Sequence, residues 1–189
     1  MSFCCRVTSA SGTAGINTAA VSTDCYLDLH AGALDTIAGR TLQIAGDTVI
    51  KSAWTGDGND TIIANDYGNT IQGGRGNDTL IAGAGIDKLY GGPGNDTFVF
   101  NALALGADTI GDFTADDVVD LHPLFAALGY NGTDPIADHW LTITPDASGT
   151  GTNLVVDSHN AQAPVIIVDI VGVAPTSFHE GTTHWTLMA

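Results

Sequence analysis

Five consecutive nine-residue units with one shared pattern run from Thr55 to Val99. They read TGDGNDTII, ANDYGNTIQ, GGRGNDTLI, AGAGIDKLY and GGPGNDTFV, and the template Gly-Gly-x-Gly-x-Asp-x-apolar-x fits the third and fifth almost fully. The second unit fits least well, because Tyr67 takes the fourth position and Asn69 replaces the aspartate. A constant period of this kind predicts a solenoid in which each unit adds the same turn and strand.

The template predicts a six-residue turn followed by a three-residue strand. Glycines in the turn allow backbone conformations and close approaches that other residues resist. Side chains alternate along a strand, so the sixth and eighth positions share one face and the seventh lies on the other. Two units then complete one coil with a turn at each edge, and the eighth-position side chains stack as an internal ladder. These are Ile62, Ile71, Leu80, Leu89 and Phe98.

The same turns predict calcium ligands, because calcium takes about six to eight hard oxygen ligands and both aspartates and turn carbonyls supply them. The predicted ligands are the sixth-position residues Asp60, Asn69, Asp78, Asp87 and Asp96, the turn glycines Gly56, Gly58, Gly74, Gly76, Gly83, Gly85, Gly92 and Gly94, and the turn acids Asp57 and Asp66. Units two apart share an edge, so about three internal ions are expected. They would lie between consecutive sixth-position residues of each edge, and the ion at Asn69 should be the weakest because Asn69 carries no charge.

Calcium-coupled folding follows from this chemistry. Stacked carboxylates repel one another and a short roll has little core, so metal binding should be coupled to folding. The alternative is a glycine-rich array of turns that binds nothing. Five units at constant spacing, four of them with an aspartate in phase with the apolar position, argue against that alternative.

The charge balance excludes several classes of partner. The chain has 5 basic and 21 acidic residues, a net charge of -16, and Glu180 is its one glutamate. Nucleic acids and anionic membrane surfaces require lysine and arginine, so neither is expected as a partner. No stretch is long and apolar enough to predict a membrane span. The three cysteines, Cys4, Cys5 and Cys25, match no zinc or redox motif, and a pairing of Cys25 with one of the others stays open.

These repeats resemble the RTX family, the haemolysin-type calcium-binding repeats of exported bacterial proteins. The stretch TFVFNALALGADTIGDFTADDVVDLHPL (97–124) also resembles the segment after the repeats in serralysin-type metalloproteases. The resemblance implies several bound calcium ions, secretion to the extracellular space, and export by a type I secretion apparatus that reads an uncleaved C-terminal signal. It also implies Asp112 as a further calcium ligand, with an ordinary loop acid as the alternative.

The predicted fold class is all-β: a parallel β-roll of nonapeptide repeats, flanked by an N-terminal cap and a C-terminal antiparallel β-sheet or sandwich with one short helix. The expected division is 1–54 for the N-terminal flank and capping strands, 55–100 for the roll, and 101–189 for a β-rich C-terminal domain that includes the export signal region. Residues 1–23 carry little pattern. The segment 122–130 predicts the helix, and 41–44, 48–54, 139–144, 152–157, 164–173 and 184–189 predict strands.

No catalytic motif is visible, so the chain is not expected to be an enzyme. His179 and His184 stand five residues apart, whereas two zinc ligands on one helical face need a spacing of four, so no zinc is expected and a loop is predicted there. The expected function is a calcium-binding module that folds outside the cell, as a monomer. Two alternatives remain: the non-catalytic C-terminal part of a serralysin-like metallopeptidase, and a free-standing structural or surface scaffold. The outward ninth positions are mostly apolar, which predicts that this face is covered.

Overall fold

The computed structural model describes residues 5–7, 13–104, 106–159, 163–174, 179–180 and 186–188. Two sheets face each other, and the chain winds between them. The described strands of the first sheet are β1 (Cys5–Val7), β3 (Tyr26–Asp28), β4 (Leu34–Ile37), β5 (Arg40–Ile44), β7 (Thr61–Ile63), β9 (Thr79–Ala82), β11 (Thr97–Phe100), β13 (Val118–Asp120), β17 (His179–Glu180) and β18 (Thr186–Met188). Those of the second are β2 (Thr13–Asn17), β6 (Val49–Trp54), β8 (Thr70–Gln72), β10 (Lys88–Tyr90), β12 (Asp108–Ile110), β14 (Leu141–Pro145), β15 (Thr152–Val156) and β16 (Val165–Ile170).

The repeats form the predicted parallel β-roll. Successive units contribute strands alternately to the two sheets, so β7, β9 and β11 pair in parallel in the first sheet and β8 and β10 pair in parallel in the second. The registers align Ile62 with Leu80 and Leu80 with Phe98, as a coil of two nine-residue units requires. All five eighth-position side chains are fully buried, and they form the centre of one continuous apolar core.

The N-terminal flank extends and closes the roll. β3 pairs in parallel with β7 and adds a further layer to the first sheet, and β4 and β5 complete an antiparallel cap. β2 pairs in parallel with β6, although it lies in the stretch where the sequence shows little pattern. Backbone hydrogen bonds hold such an edge strand, and they leave no periodic trace in the side chains.

The C-terminal strands continue both sheets. β14, β15 and β16 form the predicted antiparallel sheet, and β16 then pairs in parallel with β12, so this sheet extends the second sheet of the roll. In the first sheet β18 runs antiparallel to β13. β17 is a two-residue strand against β18, so the expectation of a loop at His179 and Glu180 is wrong. The strand forms because its pairing with β18 supplies backbone hydrogen bonds, which the local sequence does not reveal. His184 lies outside the described residues.

The predicted helix is α1 (His122–Leu128), which lies just after the last strand of the roll. Proline in its first turn suits a helix start, because the first backbone N–H groups have no partner there. Gly129 ends the helix in a left-handed conformation, with φ of 78°. The helix buries Leu124 and Phe125 against the end of the core. No helix in the described part of the chain is long and apolar enough to cross a membrane.

Candidate calcium sites

Sixth-position aspartates stack along one edge of the roll, which we call the first edge (turns 55–60, 73–78 and 91–96). Each backbone N–H in this row donates to the Oδ1 of the carboxylate one coil further on: Asp60 to Asp78, Asp78 to Asp96, and Asp96 to Asp117, each at 2.8 Å. Cys25 begins the row and donates its N–H to Asp60 at 2.6 Å. Asp60, Asp78 and Asp96 are each 1% exposed, so the stack is a column of carboxylates inside the protein.

The second carboxylate oxygen of these aspartates is buried without a hydrogen-bond partner. This is true of Oδ2 in Asp60, Asp78 and Asp96. Leaving a buried acceptor unpaired costs on the order of 1–3 kcal/mol, and more for a charged group. A cation beside these oxygens would remove that penalty, so the row has the chemistry that a bound ion requires.

Glycines keep space open beside the unpaired oxygens. A Cβ added to Gly73 would collide with Asp78 Oδ2 and would lie 2.8 Å from the carbonyl oxygen of Gly91, so these two oxygens approach the same point. A Cβ added to Gly91 would likewise collide with Asp96 Oδ2. Among the described residues no three His, Cys, Asp or Glu side chains form a group that could hold a metal. The oxygens that approach the point beside Gly73 are one carboxylate oxygen and one backbone carbonyl oxygen, a combination that suits calcium.

The electrostatics of the column resist ionisation when no cation is present. Burial, with the charges of neighbouring aspartates, raises the pKa of Asp78 to about 7 and that of Asp96 to about 6. Along the opposite edge of the roll, burial likewise raises the pKa of Asp108 to about 7. A divalent cation reverses this effect, because it favours the ionised carboxylate.

The predicted turn glycines lie where consecutive coils touch through their backbones. Gly76 and Gly94 have φ of 123° and 159°, and a Cβ on either would overlap the carbonyl oxygen of the turn beneath. The same close approach to neighbouring backbone is found at Gly56, Gly58, Gly74, Gly83, Gly85 and Gly92. This contact sets the short distance between stacked turns, which brings carbonyls and carboxylates of adjacent coils together.

The opposite edge, the second edge (turns 64–69 and 82–87), repeats the ladder with a different hydrogen-bond pattern. Asn69 N–H donates to Asp87 Oδ1 at 2.6 Å, and Asp87 N–H donates to Asp108 Oδ1 at 2.7 Å. Asp87 Oδ2, however, accepts the N–H of Gly83 at 3.0 Å, and Asn69 Nδ2 donates to the Ile50 carbonyl at 2.8 Å. The sixth-position side chains of the second edge therefore have partners that those of the first edge lack.

Three other predicted ligands, Asp57, Asp66 and Asp112, lie in or against the turns but outside the two rows of sixth-position residues. Asp57 is exposed and faces Arg75 across 3.9 Å, and Asp66 is exposed and accepts one backbone N–H of the next turn at 3.4 Å. Asp112 comes two residues after β12, and its carboxylate accepts the backbone N–H groups of Gly91 and Gly92 in the fifth turn, at 3.0 Å each. Burial raises the pKa of Asp112, although these hydrogen bonds oppose the shift.

Asp108 and Asp117 extend the two ladders, and the sequence reasoning did not place them there. Within the repeats the spacing between stacked aspartates is 18 residues, but it is 21 for these two. A search with a strict nine-residue period therefore misses them. Each is nevertheless an aspartate two residues before a buried apolar residue, as in the repeats. Cys25 takes the equivalent position at the other end of the first edge, and its thiol is free and buried.

The repeat region of this chain matches a known family of repeats. Residues 54–89 and 72–102 match the family model described as the RTX calcium-binding nonapeptide repeat, in four copies. The resemblance to RTX repeats is therefore confirmed for this part of the chain, which is a calcium-binding structural unit. A solved structure similar to this chain is the AlgE6R2 subunit of the Azotobacter vinelandii mannuronan C5-epimerase, at 24% identity and a TM-score of 0.42, covering 88% of this chain and 89% of that one. No curated protein matched the chain.

Proposed function

We propose that this chain is a non-catalytic calcium-binding module that folds outside the cell when calcium ions enter the first edge of the roll. The observation that carries the proposal is the row of buried, unpartnered Oδ2 atoms of Asp60, Asp78 and Asp96. Without cations these groups destabilise the folded roll, and with calcium they become ligands. Ion binding and folding are then a single equilibrium.

The residues that would hold the ions are the first-edge aspartates and the carbonyls of the stacked turns. An ion between two coils would contact the Oδ2 of one aspartate and carbonyl oxygens such as that of Gly91, which approaches the same point. Such a site has few charged ligands, and calcium sites of that kind have dissociation constants on the order of 10⁻⁴–10⁻³ M. Affinity in this range favours a protein that stays unfolded where calcium is scarce and folds where it is plentiful.

This calcium dependence supports a role in export. A chain that cannot complete its roll inside the cell remains unfolded for passage through a type I secretion apparatus, and extracellular calcium then completes the fold. The resemblance of residues 97–124 to the segment after the repeats in serralysins supports the same role. The module would also stabilise any catalytic domain joined to it.

A calcium titration tests the proposal. Chelator-stripped protein is followed by far-UV circular dichroism while calcium is added, with magnesium as a control. We expect a cooperative gain of β signal with calcium alone. Asp96→Asn should reduce the calcium-dependent gain of β signal, because it removes a charged ligand of the first edge and also removes an unfavourable buried charge from the calcium-free roll. Asp47→Asn, which changes an exposed turn acid outside the repeats, should leave this gain unchanged.

Two results would contradict the proposal. One is a native spectrum in excess chelator, which would mean that the cap and the C-terminal strands carry the fold alone. The other is an equal response to magnesium, which would indicate screening of the charge of -16 rather than specific sites. The expected monomer is checked in the same calcium buffer by size-exclusion chromatography with light scattering.

A further inference from the structure

We propose that nitrogen donors replace calcium at the N-terminal end of the second edge. The ammonium group of Lys51 acts there as a tethered cation, meaning a positive charge that the chain itself supplies. This end of the roll is therefore ordered before calcium binds. Calcium then acts mainly on the first edge. The inference rests on the proposed function, because it assigns the calcium-dependent step to one of the two edges.

Lys51 lies where the ladder of the second edge reaches the cap. In the pairing of β6 with β8, Ser52 is opposite Thr70, so Lys51 stands level with Asn69. Its Nζ donates to the carbonyls of Tyr67 and Gly68, the latter at 3.3 Å, and lies 5.9 Å from the centre of the Tyr67 ring. A charged ammonium thus binds two carbonyl oxygens of the second turn, as a metal ion in that position would.

Two asparagine amides bind further carbonyls at the same end. Asn65 Nδ2 donates to the carbonyls of Ile50 at 2.7 Å and Leu29 at 3.0 Å, and Asn69 Nδ2 donates to Ile50 at 2.8 Å. Asn65 and Asn69 are both 3% exposed, so these hydrogen bonds are protected from water. Together with the ammonium, the amides satisfy four carbonyl oxygens with nitrogen donors, which leaves those oxygens already paired when calcium is absent.

The departures of the second unit from the repeat template thereby acquire a common explanation. Where other units have glycine at the second position and aspartate at the sixth, this unit has Asn65 and Asn69, and both supply donors that an aspartate cannot. The first edge has the opposite chemistry, with unpartnered Oδ2 atoms on three aspartates. The sequence interpretation of Asn69 as the weakest calcium ligand is replaced here by a role as hydrogen-bond donor to the cap.

Amide hydrogen exchange on the intact chain in excess chelator tests the inference. In the wild type we expect measurable protection at the backbone amides of Asn65 and Asn69, and little at those of Asp60 and Asp78. Calcium should then slow exchange strongly on the first edge and only slightly at Asn65 and Asn69. This measurement needs no variant, so it does not depend on whether a substituted protein folds.

Two variants test the ammonium itself. Lys51→Met keeps most of the apolar side chain but removes the donors and the charge. It should speed exchange at Asn69 in chelator by roughly threefold, because the lost contacts of the ammonium are at an exposed position. Lys88→Met is the matched control: Lys88 is an exposed lysine on the outer face of the neighbouring strand β10, and its change should leave exchange at Asn69 unaltered.

The outcomes separate this inference from the proposed function. If both edges are unprotected in chelator and gain protection together with calcium, the tethered-cation inference is overturned while calcium-coupled folding stands. If neither edge responds to calcium, the proposed function fails. Equal effects of Lys51→Met and Lys88→Met would also overturn the inference, since they would reduce Lys51 to one positive charge among others.

Discussion

Asp78→Asn is expected to stabilise the calcium-free roll and to weaken its response to calcium. Asp78 lies in the middle of the first edge, and its Oδ1 accepts the N–H of Asp60, a bond that asparagine can keep. Its Oδ2 has no partner, and burial together with nearby aspartates raises its pKa to about 7. The substitution therefore removes the unfavourable charge without removing the hydrogen bond.

The size of the effect follows from the pKa. Relative to its ordinary value of 3.8, a pKa of about 7 for Asp78 means that ionising it in the calcium-free roll is unfavourable. At pH 8 the corresponding free energy is on the order of 4 kcal/mol, because the pKa is raised by about three units and each unit corresponds to about 1.4 kcal/mol. The variant should gain that much in its calcium-free free energy of unfolding. With calcium it should lose stability, because under the proposed function this carboxylate is a charged ligand of the ions between neighbouring coils.

The assay is urea unfolding at pH 8 followed by far-UV circular dichroism, in chelator and in millimolar calcium. The calcium increment is the difference between the two free energies of unfolding. It should decrease in the variant, because the calcium-free value rises and the calcium-bound value falls. If the calcium-free wild type is unfolded, the same effect will be seen as a gain of β signal in the variant. Asp47→Asn, an exposed turn acid, serves as the control and should shift either value by less than about 0.5 kcal/mol. A variant that loses calcium-free stability yet keeps the full calcium increment would refute the reasoning.

Three further predictions follow from the same structure. Acid should partly replace calcium, because the raised pKa values of Asp78 and Asp108 mean that the calcium-free fold binds protons more tightly than the unfolded chain. Its stability should be greatest at about pH 4 and below, and should fall as the pH rises to about 7. A far-UV spectrum in chelator that does not change between pH 4 and pH 7 would contradict this. Gly76→Ala should lower calcium-bound stability by roughly 1–3 kcal/mol, because its φ of 123° and the carbonyl beneath it exclude a Cβ, whereas Gly46→Ala meets open space and should have little effect in thermal melts. Leu89→Ala should cost about 2–5 kcal/mol in urea unfolding with calcium, because its fully buried side chain belongs to the central ladder and leaves a cavity; a smaller loss would mean that the ladder collapses around the gap.

The sequence was sufficient for the periodic part of the molecule. A nine-residue period leaves one arrangement in which glycine-rich turns stack and the eighth residue of every unit is internal. The sequence alone is therefore enough to derive the roll, its two edges and the burial of residues such as Ile62 and Phe98. The aspartates at the sixth positions followed from the same arithmetic. The short helix was also readable, because proline at its start and glycine at its end are local signals.

Only the tertiary structure decided how the ladders end and which groups are unpaired. Asp108 and Asp117 join the ladders across spacings of 21 residues, and β2 joins the second sheet through backbone hydrogen bonds, so neither relationship has a period to detect. The contrast between the two edges depends on contacts between residues far apart in the chain, such as Lys51 with the second turn. A repeat pattern specifies what each unit contributes, whereas the hydrogen bonds and unpaired oxygens depend on which neighbour each unit meets after folding.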